Sequence, residues 1–180
     1  KKAIFFSRIH KKKGLLELVK CWSKLDPDGW ELNIYGPVSD KKYFALVRQE
    51  IKKKKIKIPI KLHNPIYDFE NKKNIFLSSN LFILPSQSEN FGMSILEALS
   101  IGIPVITTSS TPWNILNSIN AGLVFSFSEE NLTENLKKIF KMNISEIKRM
   151  GDNGRLFVEK NFDIKKLIHN YINFYKDIIE

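Results

Sequence analysis

The stretch Leu81-Phe82-Ile83-Leu84-Pro85-Ser86-Gln87-Ser88-Glu89-Asn90-Phe91-Gly92-Met93-Ser94-Ile95-Leu96-Glu97-Ala98-Leu99 decides the fold. Its first four residues form a continuous apolar run ended by a proline, the pattern of a strand buried on both faces of a parallel sheet. A polar loop follows, and from Met93 to Ser100 the apolar residues recur at helical spacing. Strand, loop and helix together make one βα unit.

The same unit repeats outward in both directions. Ala3 to Phe6 predicts a first strand. Leu15, Leu18, Val19, Trp22 and Leu25 then lie three or four apart on a helix. Asp26-Pro27-Asp28-Gly29 reads as a turn. Trp30 to Tyr35 reads as a strand stopped by Gly36-Pro37, followed by a helix through Tyr43, Phe44, Leu46, Val47 and Ile51 into Lys52 to Lys55. Ile58 to Leu62 and Val105 to Thr107 add strands, Phe69 to Ser78 a short helix, and Leu123 to Phe125 a last strand. From Leu132 onward the pattern is helical, with breaks near Met142-Asn143 and Asn161-Phe162. Alternation with short connections implies an α/β fold with a parallel sheet and helices on both faces. In such folds the ligand crevice lies at the carboxyl ends of the strands. The Gly- and Pro-rich loops collect on that rim.

Composition narrows the class. The 180 residues suffice for one domain with a sizeable core, and 43% hydrophobic with 27% charged residues excludes a disordered or fibrous chain. The net charge of +10 is uneven: residues 1–72 hold 18 Lys/Arg against 8 Asp/Glu, whereas residues 73–180 hold 11 of each. An anionic partner is therefore expected for the first part. The single cysteine, Cys21, excludes an internal disulfide and reads as a packed thiol in a reducing, cytoplasmic setting. No apolar run reaches the ~20 residues of a membrane-spanning helix. The opening on Lys1-Lys2 and a strand, without Met or leader, reads as a domain taken from a longer chain.

Two motifs carry chemistry. Glu89 precedes the helix that starts near Phe91 or Gly92, and Glu97 lies about two turns in, roughly 9 Å along the axis if Phe91 begins it. Such a separation is wide for a nucleophile–acid pair, which needs ~5–5.5 Å. It suits groups that grip opposite ends of an elongated ligand. The helix N-terminus between them attracts phosphate through its free N–H groups, and Gly92 permits close approach of the backbone. A sugar hydroxyl at Glu89, a diphosphate over Met93 and Ser94, and ribose at Glu97 would describe a nucleotide sugar. The plainer alternative makes Glu89 a helix cap and Glu97 a solvated residue. In the second motif, Arg8-Ile9-His10-Lys11-Lys12-Lys13-Gly14, Arg8 and Lys13 past a strand end can neutralise a diphosphate. Lys11, Lys12 and His10 read as loop residues.

Together Arg8-x4-Lys13-Gly14, Tyr35-Gly36-Pro37, Pro85-Ser86, Glu89-x7-Glu97 with Phe91-Gly92, and Gly102-Ile103-Pro104-Val105-Ile106 resemble the family 4 retaining glycosyltransferases, of the bacterial polysaccharide and lipopolysaccharide type. The resemblance is to their C-terminal, donor-binding Rossmann-like domain of the GT-B fold. It implies a single nucleotide-sugar-binding domain over 1–180, with 161–180 a C-terminal helix and the N-terminal acceptor domain outside these residues. It also implies Arg8 and Lys13 on the donor diphosphate and Glu89 on the donor sugar as the catalytic set. Asn90, Phe91 and Gly92 would support the sugar, Met93 and Ser94 would donate N–H groups to phosphate, and Glu97 would bind ribose. Gly36 and Ile66 complete the donor site, Ile66 against the base. A UDP-linked sugar, no metal or other cofactor, and a glycan or lipid-linked acceptor are further implications, and the isolated domain is expected to be inactive alone.

Three positions depart from the pattern. Ser7 stands for the usual Gly before the Arg, and Asn64 for a Gly in the base loop, where it would tolerate left-handed φ. Ser109-Ser110-Thr111-Pro112-Trp113-Asn114 replaces a Gly-x-Pro-Glu segment, with Trp113 read as a packed aromatic or an acceptor-side residue. A same-fold nucleotide-sugar epimerase and a non-enzymatic basic module are the competing readings. The lysines lack an RNA-stacking motif, so nucleic acid is not expected. Tyr43 to Lys55, apolar on one side and basic on the other, leaves peripheral attachment to an anionic membrane as a second role.

Overall fold

The computed structural model describes residues 1–25, 29–53, 59–163 and 168. Six strands, β1 (Lys2–Phe6), β2 (Glu31–Tyr35), β3 (Ile60–Leu62), β4 (Leu81–Leu84), β5 (Val105–Thr108) and β6 (Gly122–Phe125), form one sheet. Their order is β3-β2-β1-β4-β5-β6, and every neighbouring pair is parallel. β1 and β4 are the central pair, with Ala3 opposite both Leu32 and Leu81. They read as unbroken apolar runs because both faces are covered: every residue of β4 is buried.

Among the described residues seven helices connect and cover the strands: α1 (Leu15–Lys24), α2 (Lys41–Lys53), α3 (Phe69–Leu77), α4 (Met93–Ser100), α5 (Ile115–Ser118), α6 (Glu129–Lys141) and α7 (Ile144–Asn161). α1 packs on α2 and α6, and α4 packs on α7. The connections run outward from β1 toward β3 and from β4 toward β6, and crossovers of the usual right hand then put the two groups of helices on opposite faces. α1 buries Leu15, Leu18, Val19, Cys21 and Trp22. The thiol of Cys21 is packed as expected, and burial raises its pKa above the usual thiol range.

The α4–α7 contact is close because α7 presents glycines. A Cβ at Gly151 would overlap the carbonyl oxygen of Gly102, and one at Gly154 would come 2.7 Å from Leu99 Cδ2. α7 starts with a capping box: Asn143 Oδ1 accepts from the N–H of Glu146, and the Glu146 carboxylate accepts from the N–H of Asn143.

Several boundaries differ from the sequence expectation. α4 runs Met93–Ser100 as the apolar spacing predicts, whereas the start near Phe91 or Gly92 used for the Glu89–Glu97 separation is one or two residues early, because Gly92 takes φ 82° and sits outside the helix as its N-cap. Trp30 precedes β2, α6 starts three residues before Leu132, and neither the 3-10 turn Lys11–Lys13 nor α5 was anticipated. Elements of three or four residues are too short to display a periodicity. Asn64 keeps a negative φ; the described non-glycine residue with positive φ is Asn120, at 52°. The turn at Asp26 to Asp28, Lys54, Lys55 and Ile58 lie outside the described residues, as does most of the expected helix over 161–180. The break at Phe162 is present, as the cap that ends α7.

Candidate functional site

Where the strand order reverses, between β1 and β4, the loops that follow the two strands diverge and open a crevice. The β1 loop carries Arg8 and Lys13, and the β4 loop carries Glu89 to Gly92. They meet in a cleft of about 880 Å³ lined by Arg8, His10 to Lys13 and Ser88 to Met93. Two segments about 75 residues apart are thus brought together by topology alone.

The basic loop is tied down. His10 Nδ1 accepts from the N–H of Lys12 at 3.2 Å and starts the 3-10 turn, which ends at Gly14 with φ 69°. A Cβ at Gly14 would overlap the carbonyl of Pro85, so this glycine is required both for its backbone angle and for contact between the two loops. The Lys12 carbonyl accepts from the N–H of Gln87 at 2.8 Å and from the hydroxyl of buried Ser86 at 3.0 Å. From behind, the Thr107 hydroxyl donates to the Leu84 carbonyl at 2.8 Å and that of Thr108 to the Ser86 carbonyl.

These anchors place Lys13 Nζ 2.6 Å from Glu89 Oε1, with the two side chains 12% and 11% exposed. Glu89 therefore faces Lys13 rather than capping α4. Gly92 contributes no side-chain cap, and its carbonyl takes the N–H groups of Ile95 at 2.8 Å and Leu96 at 3.3 Å. The amides of Met93 and Ser94 at the helix start lack intrahelical acceptors and carry the positive end of the dipole. Arg8 is exposed at the mouth and has no ion pair among the described residues.

Glu97 is the fifth residue of α4, so only about 6 Å of helix separates it from Met93. It is not a free solvated side chain: Lys72 of α3 reaches Glu97 Oε1 at 2.6 Å. The Lys72 ammonium also lies 5.2 Å from the Phe6 ring centroid, at the end of β1. Lys72 escaped the sequence reading because α3 is weakly amphipathic and its partner lies 25 residues away.

Gly36 and Ile66 follow β2 and β3 on the same rim, away from the cleft lining. Gly36 has φ 147°, and a Cβ there would overlap the Ser7 carbonyl, so its first role is to let the β1 and β2 ends meet. Ile66 is half-buried between β3 and α3. Just before it, His63 stacks on Tyr35 at 4.3 Å and its Nε2 lies 2.8 Å from Asn33 Oδ1. Burial, aided by nearby Lys61, lowers the His63 pKa and favours the neutral ring.

A parallel sheet with a basic loop and a helix N-terminus at its switch point is the framework of a Rossmann-like GT-B domain. The chain belongs to the glycosyl transferases group 1 family, which it matches over residues 1–157. It is 44% identical over 52 residues to the O-antigen biosynthesis glycosyltransferase WclY of Escherichia coli, a match covering 27% of this chain and 15% of that protein. Its fold is that of a glycosyltransferase from Rickettsia africae ESF-5, with TM-score 0.87 and 23% identity over 99% of this chain and 48% of the other. It also superposes on Anabaena HepE, whose crystal structure is a complex with UDP-glucose, with TM-score 0.84 and 16% identity over 98% of this chain and 48% of HepE. The chain thus spans about half the length of these two solved relatives. Among the described residues no helix is long and apolar enough to cross a membrane.

Proposed function

We propose that this chain is the C-terminal, donor-binding half of a family 4 retaining glycosyltransferase that moves a sugar from a UDP-linked donor to a glycan or lipid-linked acceptor without a metal. One observation carries the reading: the cations Arg8 and Lys13, the carboxylate Glu89 and the start of α4 converge on one cleft at the switch point. The family match and the UDP-glucose complex of HepE support it.

Lys13 Nζ has three N–H donors and gives one to Glu89, leaving two for a diphosphate in the cleft. Glu89 keeps an oxygen for a sugar hydroxyl. As the sugar–phosphate bond breaks through an oxocarbenium-like state, negative charge grows on the departing diphosphate. Lys13, held by Glu89, and the Met93 and Ser94 amides would face that charge, with Arg8 reaching it from the mouth, and preorganised donors of this kind supply the main electrostatic stabilisation. Glu97 would hold ribose, its carboxylate oriented by Lys72. Turnover would require the acceptor-binding domain.

Calorimetric titration of the chain with UDP and UDP-glucose in EDTA tests the reading. Binding of both is expected, and absence of binding overturns it. Glu97→Ala should weaken UDP by about tenfold or more, the value of hydrogen bonds to a charged group. Glu89→Ala should spare UDP and abolish the preference for UDP-glucose.

A second partner is favoured by α2. Lys41, Lys42, Arg48, Lys52 and Lys53 are exposed there beside exposed Leu46, and none has an ion pair among the described residues. An anionic membrane surface suits this face, each cation contributing ~1 kcal/mol at low salt. Sedimentation with phosphatidylglycerol vesicles, lost on reversing Lys52 and Lys53 to Glu, tests it; equal sedimentation of both proteins overturns it.

A further inference from the structure

Trp113 lies between β5 and α5 and is 3% exposed. Its indole Nε1–H donates to the Phe91 carbonyl at 2.5 Å. Its ring meets Phe91 edge-on at 5.5 Å, and both rings contact Phe162, each at 5.9 Å. Gly92 is packed against the same indole: a Cβ there would come 3.2 Å from Trp113 Nε1.

The indole therefore holds the peptide unit between Phe91 and Gly92. The next unit, Gly92–Met93, is the last before α4, and its Gly92 carbonyl accepts from the N–H groups of Ile95 and Leu96, so the held peptide is one residue removed from the helix start. Helix α4 has no side-chain cap, so its start is set by the backbone of the preceding loop. The bond is not a general consequence of burying tryptophan. Trp22 and Trp30 are equally buried, and their Nε1 atoms have no hydrogen-bond partner among the described residues.

We propose that Trp113 is a positioning residue for the donor sugar: it fixes the Phe91–Gly92 peptide on the wall of the cleft and, through it, the placement of the sugar against Glu89. The effect on ligand rests on the donor-site reading above; the effect on the loop does not.

The loop is tested first, without ligand, by amide hydrogen exchange of the 15N-labelled chain. Trp113→Phe keeps a ring and removes the donor. Exchange at Ile95 and Leu96 should become about tenfold faster while α6 is unchanged, as expected for a local opening. Unchanged exchange overturns the proposal. Phe162→Leu keeps the indole donor and should stay within about threefold of the parent; acceleration equal to that of Trp113→Phe shows that ring packing holds the loop, and overturns it too. If Trp113→Phe does not fold, the parent decides through the scalar coupling across the Nε1–H to Phe91 carbonyl bond, whose absence overturns the proposal.

Ligand is added second. Trp113→Phe should lose about tenfold more affinity for UDP-glucose than for UDP, the mark of a positioned rather than a merely stable site. Equal losses overturn the sugar-positioning role. A parent chain that binds neither ligand defeats the donor-site reading, while the exchange experiment still decides whether Trp113 holds the loop.

Discussion

Two lysine–carboxylate pairs flank the start of α4 at the same distance and in different surroundings. Lys13–Glu89 and Lys72–Glu97 both close to 2.6 Å. The first joins two loops inside the cleft and is about one-ninth exposed. The second joins two helices and is 28% and 36% exposed. Distance alone would rank them equal. Burial separates them, because an ion left alone in a shielded site keeps its desolvation cost, whereas one at the surface is rehydrated.

The largest expected effect comes from breaking the shielded pair from one side. Glu89→Ala leaves Lys13 without its partner and should cost about 3 kcal/mol, the low end for a buried pair because the cleft admits water. Thermal melts should show it, and the double variant with Lys13→Ala should recover part of the loss. Next comes Gly14→Ala, which keeps both charges and forces a Cβ at φ 69° toward the Pro85 carbonyl. It should cost about 2 kcal/mol through strain and displacement of the loop, read by urea denaturation.

Lys72→Ala should cost no more than about 1 kcal/mol in the same melts. A loss equal to that of Glu89→Ala would erase the distinction between the pairs. The smallest effect concerns His63. Its folded pKa is lowered, so between that value and the ordinary 6.5 the unfolded chain binds more protons. Stability from neutral His63 is full above pH 6.5 and is lost as the pH falls through the folded value. His63→Gln should flatten the pH dependence of the melting temperature in that window.

The fold is largely legible because β1 and β4 are apolar runs, β2 and β4 are closed by Gly36 and Pro85, and helices such as α1 and α6 show an apolar stripe. Leu81 to Leu84 and Leu15 to Trp22 needed nothing else. Local pattern does not encode which strands become neighbours, and that order is what brings Arg8 beside Glu89. The site residues on the two loops were named individually from their chemistry, but the contact between Lys13 and Glu89 was not. Lys72 was missed altogether, because a lysine on a helix of weak periodicity looks like any solvated lysine until α3 is laid beside α4. Asn64 shows the opposite error: a glycine position by resemblance, it adopts ordinary negative φ here.

The close contact between α4 and α7 has a mechanical consequence. With Gly151 against the Gly102 carbonyl and Gly154 against Leu99, there is no slack in which α4 could tilt or slide. The helix behaves as a strut welded to its neighbour along its far half, while its near end at Gly92 is packed separately against the Trp113 indole. Adaptation of the cleft to an occupant therefore falls to its exposed side chains, such as Arg8 at the mouth, rather than to a shift of the helix.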